Sequence, residues 1–273
     1  MTPMKISLND GLDIPQLGLG LWQTSAHEAA EVVAAARETG YRHFDTAAMY
    51  GNEDGVGQGL AGAPREDVFV TTKVWNDAQG FDATMRAARA SLRELRLDHV
   101  DLYLIHWPAP RRGLYVETWR ALIKLRDEGL ARSIGVSNFA PEHIERVIAE
   151  TGVTPAINQI ELHPRFQQRA LRAFHAERGI VTQSWAPLGR AHFLDDPVIA
   201  RLAAKHGRTS AQIVIRWHLD EGLVAIPKTV RRERLKENFD VFGFALDAGD
   251  REALAALDRP DGRTGPDPMT ASF

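Results

Sequence analysis

The chain has 273 residues, of which 44% are hydrophobic and 25% charged, with a formal net charge of -3 and no cysteine. These values fit an ordinary globular protein, long enough for one large α/β barrel or two smaller domains. They exclude disulfides, thiolate metal sites and a cysteine nucleophile, and they leave no basic footprint for nucleic acid or an anionic membrane.

Met1-Thr2-Pro3-Met4-Lys5 lacks the apolar core of a signal peptide, and no run approaches the roughly 18 apolar residues of a membrane span. A cytoplasmic location is the default expectation. Ile6-Ser7-Leu8 and Leu12-Asp13-Ile14 flank Asn9-Asp10-Gly11, an Asp-Gly hairpin signal that predicts a small cap on a larger fold. Leu17–Leu21 follows as a candidate strand, and Ala26–Thr39 as a helix ended by Gly40.

A strict alternation then begins. His43–Asp45 leads to helix Glu53–Leu60, Val68–Thr72 to Asp82–Leu95, and Val100–Ile105 to Val116–Glu128. Ala131–Val136 leads to a helix opening at Pro141, the favoured first helical position. Ala156–Ile160 leads to Gln168–Arg178, and Ile180–Ser184 to the helix pair Pro197–His206 and Ser210–Glu221. Leu223–Ile226 leads to Arg231–Asn238. The Pro- and Gly-rich tail, 258–273, reads as an irregular surface loop. Eight β/α units in one uninterrupted chain predict a parallel sheet closed as a (β/α)8 barrel, in a single domain spanning 1–273. An open doubly wound sheet is the alternative.

In such barrels the chemistry sits at the C-terminal ends of the strands. Asp45, Lys73, His106, Ser137, Asn138, Gln159, Glu161 and Ser184 all fall at or just after predicted strand ends, so they are expected to meet at one mouth. Tyr50 lies five residues beyond Asp45. A phenol is a sluggish acid, and a nearby ammonium lowers its pKa. Lys73 could act so on Tyr50, with Asp45 holding Lys73 charged and His106 orienting a substrate oxygen. Such a set suits protonation of a carbonyl oxygen as hydride arrives. The same residues also fit an ion pair, a loop aromatic and a core histidine. Gly55-Val56-Gly57-Gln58-Gly59 lacks nucleotide-loop spacing and reads as close packing. Glu161 and His163 lack the further ligands of a metal site, and no metal is expected.

Longer motifs carry a resemblance. They are G-Y-R-H-F-D-T-A-A-M-Y-G-N-E at 40–53, T-T-K-V-W-N at 71–76, L-I-H-W-P at 104–108, G-V-S-N-F at 135–139, N-Q-I-E-L-H-P at 158–164 and I-P-K-T-V-R-R-E-R at 226–234. By these the chain resembles the aldo-keto reductases. Q-S-W-A-P-L-G at 183–189 and V-R-R-E-R-L-K-E-N at 230–238 bring it nearest the bacterial 2,5-diketo-D-gluconic acid reductases. The resemblance implies a monomeric barrel that reduces small carbonyl compounds with NADPH, NADH being the weaker cofactor.

It also implies residue roles. Asp45, Tyr50, Lys73 and His106 would be the catalytic tetrad. Ser137, Asn138 and Gln159 would hold the nicotinamide carboxamide, with Trp185 stacked on the ring. Leu188, Gly189 and Arg190 would lie along the pyrophosphate. Lys228, Thr229 and Arg234 would hold the 2′-phosphate, Val230 would also belong to the cofactor site, and Glu237 and Asn238 would meet the adenine. By their place next to strand ends or the residues above, Trp22, Trp75 and Trp107, with Tyr50 and His106, would wall the substrate pocket, and Met269 or Phe273 of the tail would touch substrate if the tail covers the mouth. The alternatives are a nucleotide-binding regulatory protein of the same fold with little turnover, and an unrelated metal-dependent barrel enzyme.

Overall fold

The computed structural model describes residues 4–271. Phe273 lies outside them. Strands β1 (Lys5–Ser7) and β2 (Asp13–Pro15) form the N-terminal hairpin, paired Ile6 to Ile14. Leu8 and Ile14 pack against Phe69, Leu102, Leu104, Ile157 and Val224. Phe69, Ile157 and Val224 each begin a barrel strand, so the hairpin plugs the N-terminal end of the barrel and leaves the other end for chemistry.

The barrel strands are β3 (Leu19–Gly20), β4 (His43–Asp45), β5 (Phe69–Val74), β6 (Val100–Ile105), β7 (Ala131–Ser137), β8 (Ile157–Glu161), β9 (Val181–Trp185) and β10 (Val224–Ala225). They pair in sequential order, all parallel. Parallel bridges Leu17 to Ala225 and Gly20 to Lys228 join the first strand to the last, and so close the sheet.

Helices α1 (Ala26–Thr39), α2 (Glu53–Leu60), α3 (Phe81–Leu95), α4 (Tyr115–Asp127), α5 (Pro141–Thr151), α6 (Arg169–Glu177), α7 (Pro197–His206), α8 (Ser210–Asp220) and α9 (Arg232–Phe239) surround the barrel. A reciprocal cap between Ser25 and Glu28 starts α1. The glycine run does serve packing: a Cβ on Gly55 would lie 1.9 Å from the carbonyl oxygen of Ala26, so only glycine lets α2 approach α1 there. The alternation missed α10 (Ala248–Ala255), whose start is fixed by a cap between Asp247 and Asp250 that no apolar stripe announces. The tail from 258 carries no helix or strand among the described residues.

Candidate active site

Strand alternation decides which side chains enter the barrel. On β6, Leu102 and Leu104 belong to the inner cluster with the hairpin, while Tyr103 and Ile105 belong to the strand–helix layer. On β5, Phe69 is inward and Val70 and Val74 outward, which sends Thr71 and Lys73 inward. Phe44 is outward, so Asp45 is inward. Ile157 is inward, so Gln159 and Glu161 follow. Ile134 and Val136 are outward, so Ser137 is inward. Register places Gln159 beside Gln183, and Glu161 beside Trp185.

Ser184 has the opposite parity and does not join this set. It shares the outer face with Thr182, whose hydroxyl meets His175 of α6. The expectation that Ser184 converges on the mouth fails because one residue along a strand reverses the face.

Inside, Lys73 Nζ lies 2.5 Å from Asp45 Oδ1 and donates to the Thr46 carbonyl at 2.8 Å. Both members of the pair are buried, at 0% and 2% side-chain exposure. Gln159 Nε2 donates to the other oxygen, Asp45 Oδ2, at 2.7 Å and to Gln183 Oε1 at 3.1 Å. Burial pulls the Lys73 pKa down, and the Asp45 carboxylate pushes back.

Tyr50 ends a short 3-10 turn, Ala48–Tyr50, in the loop after β4. Lys73 Nζ is 5.3 Å from the centre of its ring. The His106 ring meets Tyr50 edge-on at 5.6 Å between centroids, and Trp75 at 5.0 Å. Asp45, Tyr50, Lys73 and His106 therefore form one cluster. Burial, then the Asp45 charge, raise the Tyr50 pKa well above its usual 10. The net shift is therefore upward, not the lowering expected from Lys73, because burial of the phenol dominates, and Tyr50 stays protonated. Burial, then the Lys73 charge, hold His106 well below its usual 6.5, as a neutral imidazole. Its Nδ1 is buried without a hydrogen-bond partner among the described residues.

A second network adjoins the first. Ser137 Oγ donates to the Gln159 carbonyl at 2.8 Å. Asn138, in the left-handed region at φ 61°, donates through Nδ2 to the His106 carbonyl at 3.0 Å and to Ser137 Oγ at 3.1 Å. Its Oδ1 accepts from Trp185 Nε1 at 2.8 Å. The indole is thus fixed at its N–H edge. Gln183 was missed by sequence reasoning. Its inward parity, two residues before Trp185, was the available signal.

Further round the mouth, Leu188 and Gly189 lie in the loop after β9, where a Cβ on Gly189 would meet the Phe193 ring at 2.0 Å. Arg190 reaches across that loop to place its guanidinium 5.2 Å from the ring centre of Trp22. Lys228, Val230 and Arg234 are exposed, and neither cation makes an ion pair among the described residues. Thr229 Oγ1 accepts from Arg231 N at the start of α9, 3.1 Å. Glu237 is bound by Thr209 Oγ1 at 2.7 Å, and Asn238 is buried. Of the three tryptophans, Trp22 is 40% exposed, Trp75 partly so, and Trp107 only 7%. Trp107 therefore presents the least wall. Met269 lines a groove with Phe139, Phe166 and Phe174 that Tyr50, His106 and Trp75 do not line.

Fold and site together define a closed barrel with a buried acid–lysine pair, a protonated phenol and a neutral imidazole at one mouth. Residues 16–259 match the model of the aldo/keto reductase family. The chain is 53% identical over 275 residues to an aldo-keto reductase of Mycolicibacterium smegmatis, covering 100% of this chain and 99% of the relative. It is 53% identical over 270 residues to the methylglyoxal reductase DkgA of Escherichia coli K12, covering 97% of each. A variant of Gox0644 solved in complex with NADPH superposes with a TM-score of 0.98 at 55% identity, covering 100% of both chains. The chain belongs to the aldo/keto reductase family. Among the described residues no helix is long and apolar enough to cross a membrane.

Proposed function

We propose that the protein reduces aldehydes and ketones to alcohols with NADPH, taking the proton from Tyr50. The observation that carries this reading is the cluster itself: Tyr50 lies edge-on to His106 and beside the buried Lys73–Asp45 pair. NADPH supplies the hydride when bound. Tyr50 donates its hydroxyl proton to the carbonyl oxygen as that oxygen gains charge. Lys73 stabilises the charge left on the phenol, and Asp45 keeps Lys73 ionised in a dry site. His106, being neutral, offers a ring N–H to the same oxygen and orients it. Solvent then restores the Tyr50 proton, so one carbonyl consumes one hydride and one proton.

The residues fit the cofactor. Trp185 offers an indole face, and Asn138 and Ser137 offer polar groups beside it. Lys228 and Arg234 supply cations for a 2′-phosphate, with backbone N–H groups at the start of α9 near Thr229 and Val230. These favour NADPH over NADH. A dicarbonyl such as methylglyoxal is the first substrate to consider, from the name of the E. coli relative, with 2,5-diketo-D-gluconate from the sequence resemblance. A monomer in the cytoplasm is the setting this reading adopts.

The test is NADPH and NADH oxidation by purified protein across methylglyoxal, 2,5-diketogluconate and simple aldehydes. Turnover with a preference for NADPH supports the reading. NADPH binding with no turnover on any carbonyl would favour the regulatory alternative.

A further inference from the structure

The tetrad accounts for Asp45 but leaves a second buried acid at the same mouth. Glu161 ends β8, faces inward and is 1% exposed. A carboxylate so buried is unfavourable unless its oxygens are bonded. Here the partners come from the C-terminal tail, more than 100 residues away. Glu161 Oε1 accepts from Thr264 N at 2.6 Å and from Thr264 Oγ1 at 2.5 Å. Oε2 accepts from Gly265 N at 2.9 Å. His163 Nε2 lies 3.4 Å from Oε1. Burial alone would raise the Glu161 pKa, but the bonds from His163, Thr264 and Gly265 more than offset it and leave it lowered. The acid is therefore an ionised acceptor satisfied by the tail.

The same bonds bring the tail onto the indole. A Cβ on Gly265 would lie 2.5 Å from Cη2 of Trp185 and 3.1 Å from Glu161 Oε2. Trp185 is thus clamped between Asn138 at its N–H edge and Gly265 at its far edge. A larger residue than glycine does not fit that gap without displacing the tail or the ring.

We propose that Glu161 is a latch, a positioning residue that seats the tail on Trp185 and so sets the outer wall of the carbonyl site. Its consequence for substrate rests on the reductase reading above, but the latch itself does not. With the latch intact, residues beyond 265 start from a fixed point beside the stacking surface. With it broken, the buried carboxylate loses its donors, the tail lifts, and substrates lose contacts near the mouth while Tyr50 and His106 keep theirs.

Trypsin provides a direct probe on the full-length protein. The tail contains two arginines, and Arg259 precedes proline, which leaves the bond from Arg263 to Thr264 as the cleavable one. That bond adjoins the latch. Glu161→Ala removes the acceptor, and Gly265→Ala disrupts the seat from the tail side without touching a barrel strand. Release of the 264–273 peptide, followed by mass spectrometry, should be about tenfold faster or more in both variants, since cleavage tracks the open population. KM for carbonyl substrates should rise several-fold while kcat stays within about twofold, the pattern for lost positioning contacts. Cleavage as slow as in the parent in both variants would overturn the latch. Faster cleavage with unchanged KM would overturn the link to the site. If the parent turns over no carbonyl, the reductase reading fails, and the cleavage rates still decide the latch.

Discussion

Gln159 Nε2 donates to Asp45 Oδ2 at 2.7 Å, across 114 residues of sequence. With Lys73 on Oδ1, both oxygens of the Asp45 carboxylate are engaged. Gln159 therefore joins the proposed cofactor cradle to the proposed proton-donor cluster. Replacing it with leucine leaves one oxygen of a buried carboxylate without its donor, a change of roughly 1–3 kcal/mol. We expect kcat to fall about tenfold or more in Gln159→Leu, alongside weaker NADPH binding. Rapid-mixing measurement of NADPH oxidation separates the two. A variant altered in NADPH affinity alone would mean that Asp45 does not depend on Gln159.

The pH dependence of reduction follows from two opposite shifts. Tyr50 is raised well above 10 and stays protonated through neutral and mildly alkaline pH. His106 is lowered well below 6.5 and stays neutral there. Neither group changes charge between about pH 6.5 and 9, so kcat/KM for reduction should be level across that range. Lys73, also lowered, is the first candidate for a fall at higher pH. A bell with a midpoint near neutrality would contradict these assignments.

Acid stability rests on other histidines. Burial pushes His43, His175 and His218 down to about 4. Each is neutral in the folded protein, whereas the unfolded chain takes up a proton near 6.5. Their stability contribution is complete above about 6.5 and is lost as pH falls toward 4. The slope approaches about 1.4 kcal/mol per pH unit for each histidine. Urea midpoints at pH 7, 6, 5 and 4 should fall steeply below 6. Equal midpoints at pH 7 and 5 would show that these rings are protonated in the folded state.

Much of the architecture was legible because the eight β/α units repeat one pattern, with strands ending in polar residues. Asp45, Lys73 and His106 could be placed at strand ends from apolar runs alone. What sequence left hidden has three physical sources. Parity along a strand is lost when its boundary is misplaced, which admitted Ser184 and passed over Gln183. A short helix fixed by its cap rather than by an apolar face, as at Asp247 and Asp250, carries little periodic signal. Partners remote in sequence leave no local trace, so neither the bond from Thr264 to Glu161 nor the contact of Arg190 with Trp22 could be foreseen. The direction of the Tyr50 shift depended on how deeply the phenol is buried, which only the folded chain fixes.

The proposed reduction turns on Tyr50 as the proton donor. Single-turnover NADPH oxidation by Tyr50→Phe, with a carbonyl that the parent reduces, isolates that step. Phenylalanine keeps the ring against His106 and removes the hydroxyl alone. The rate of reduction should fall about 100-fold or more, the scale of a lost general acid, with NADPH still bound. A variant that reduces the same carbonyl at close to the parent rate would contradict it, and the proton would have to come from another group at the mouth.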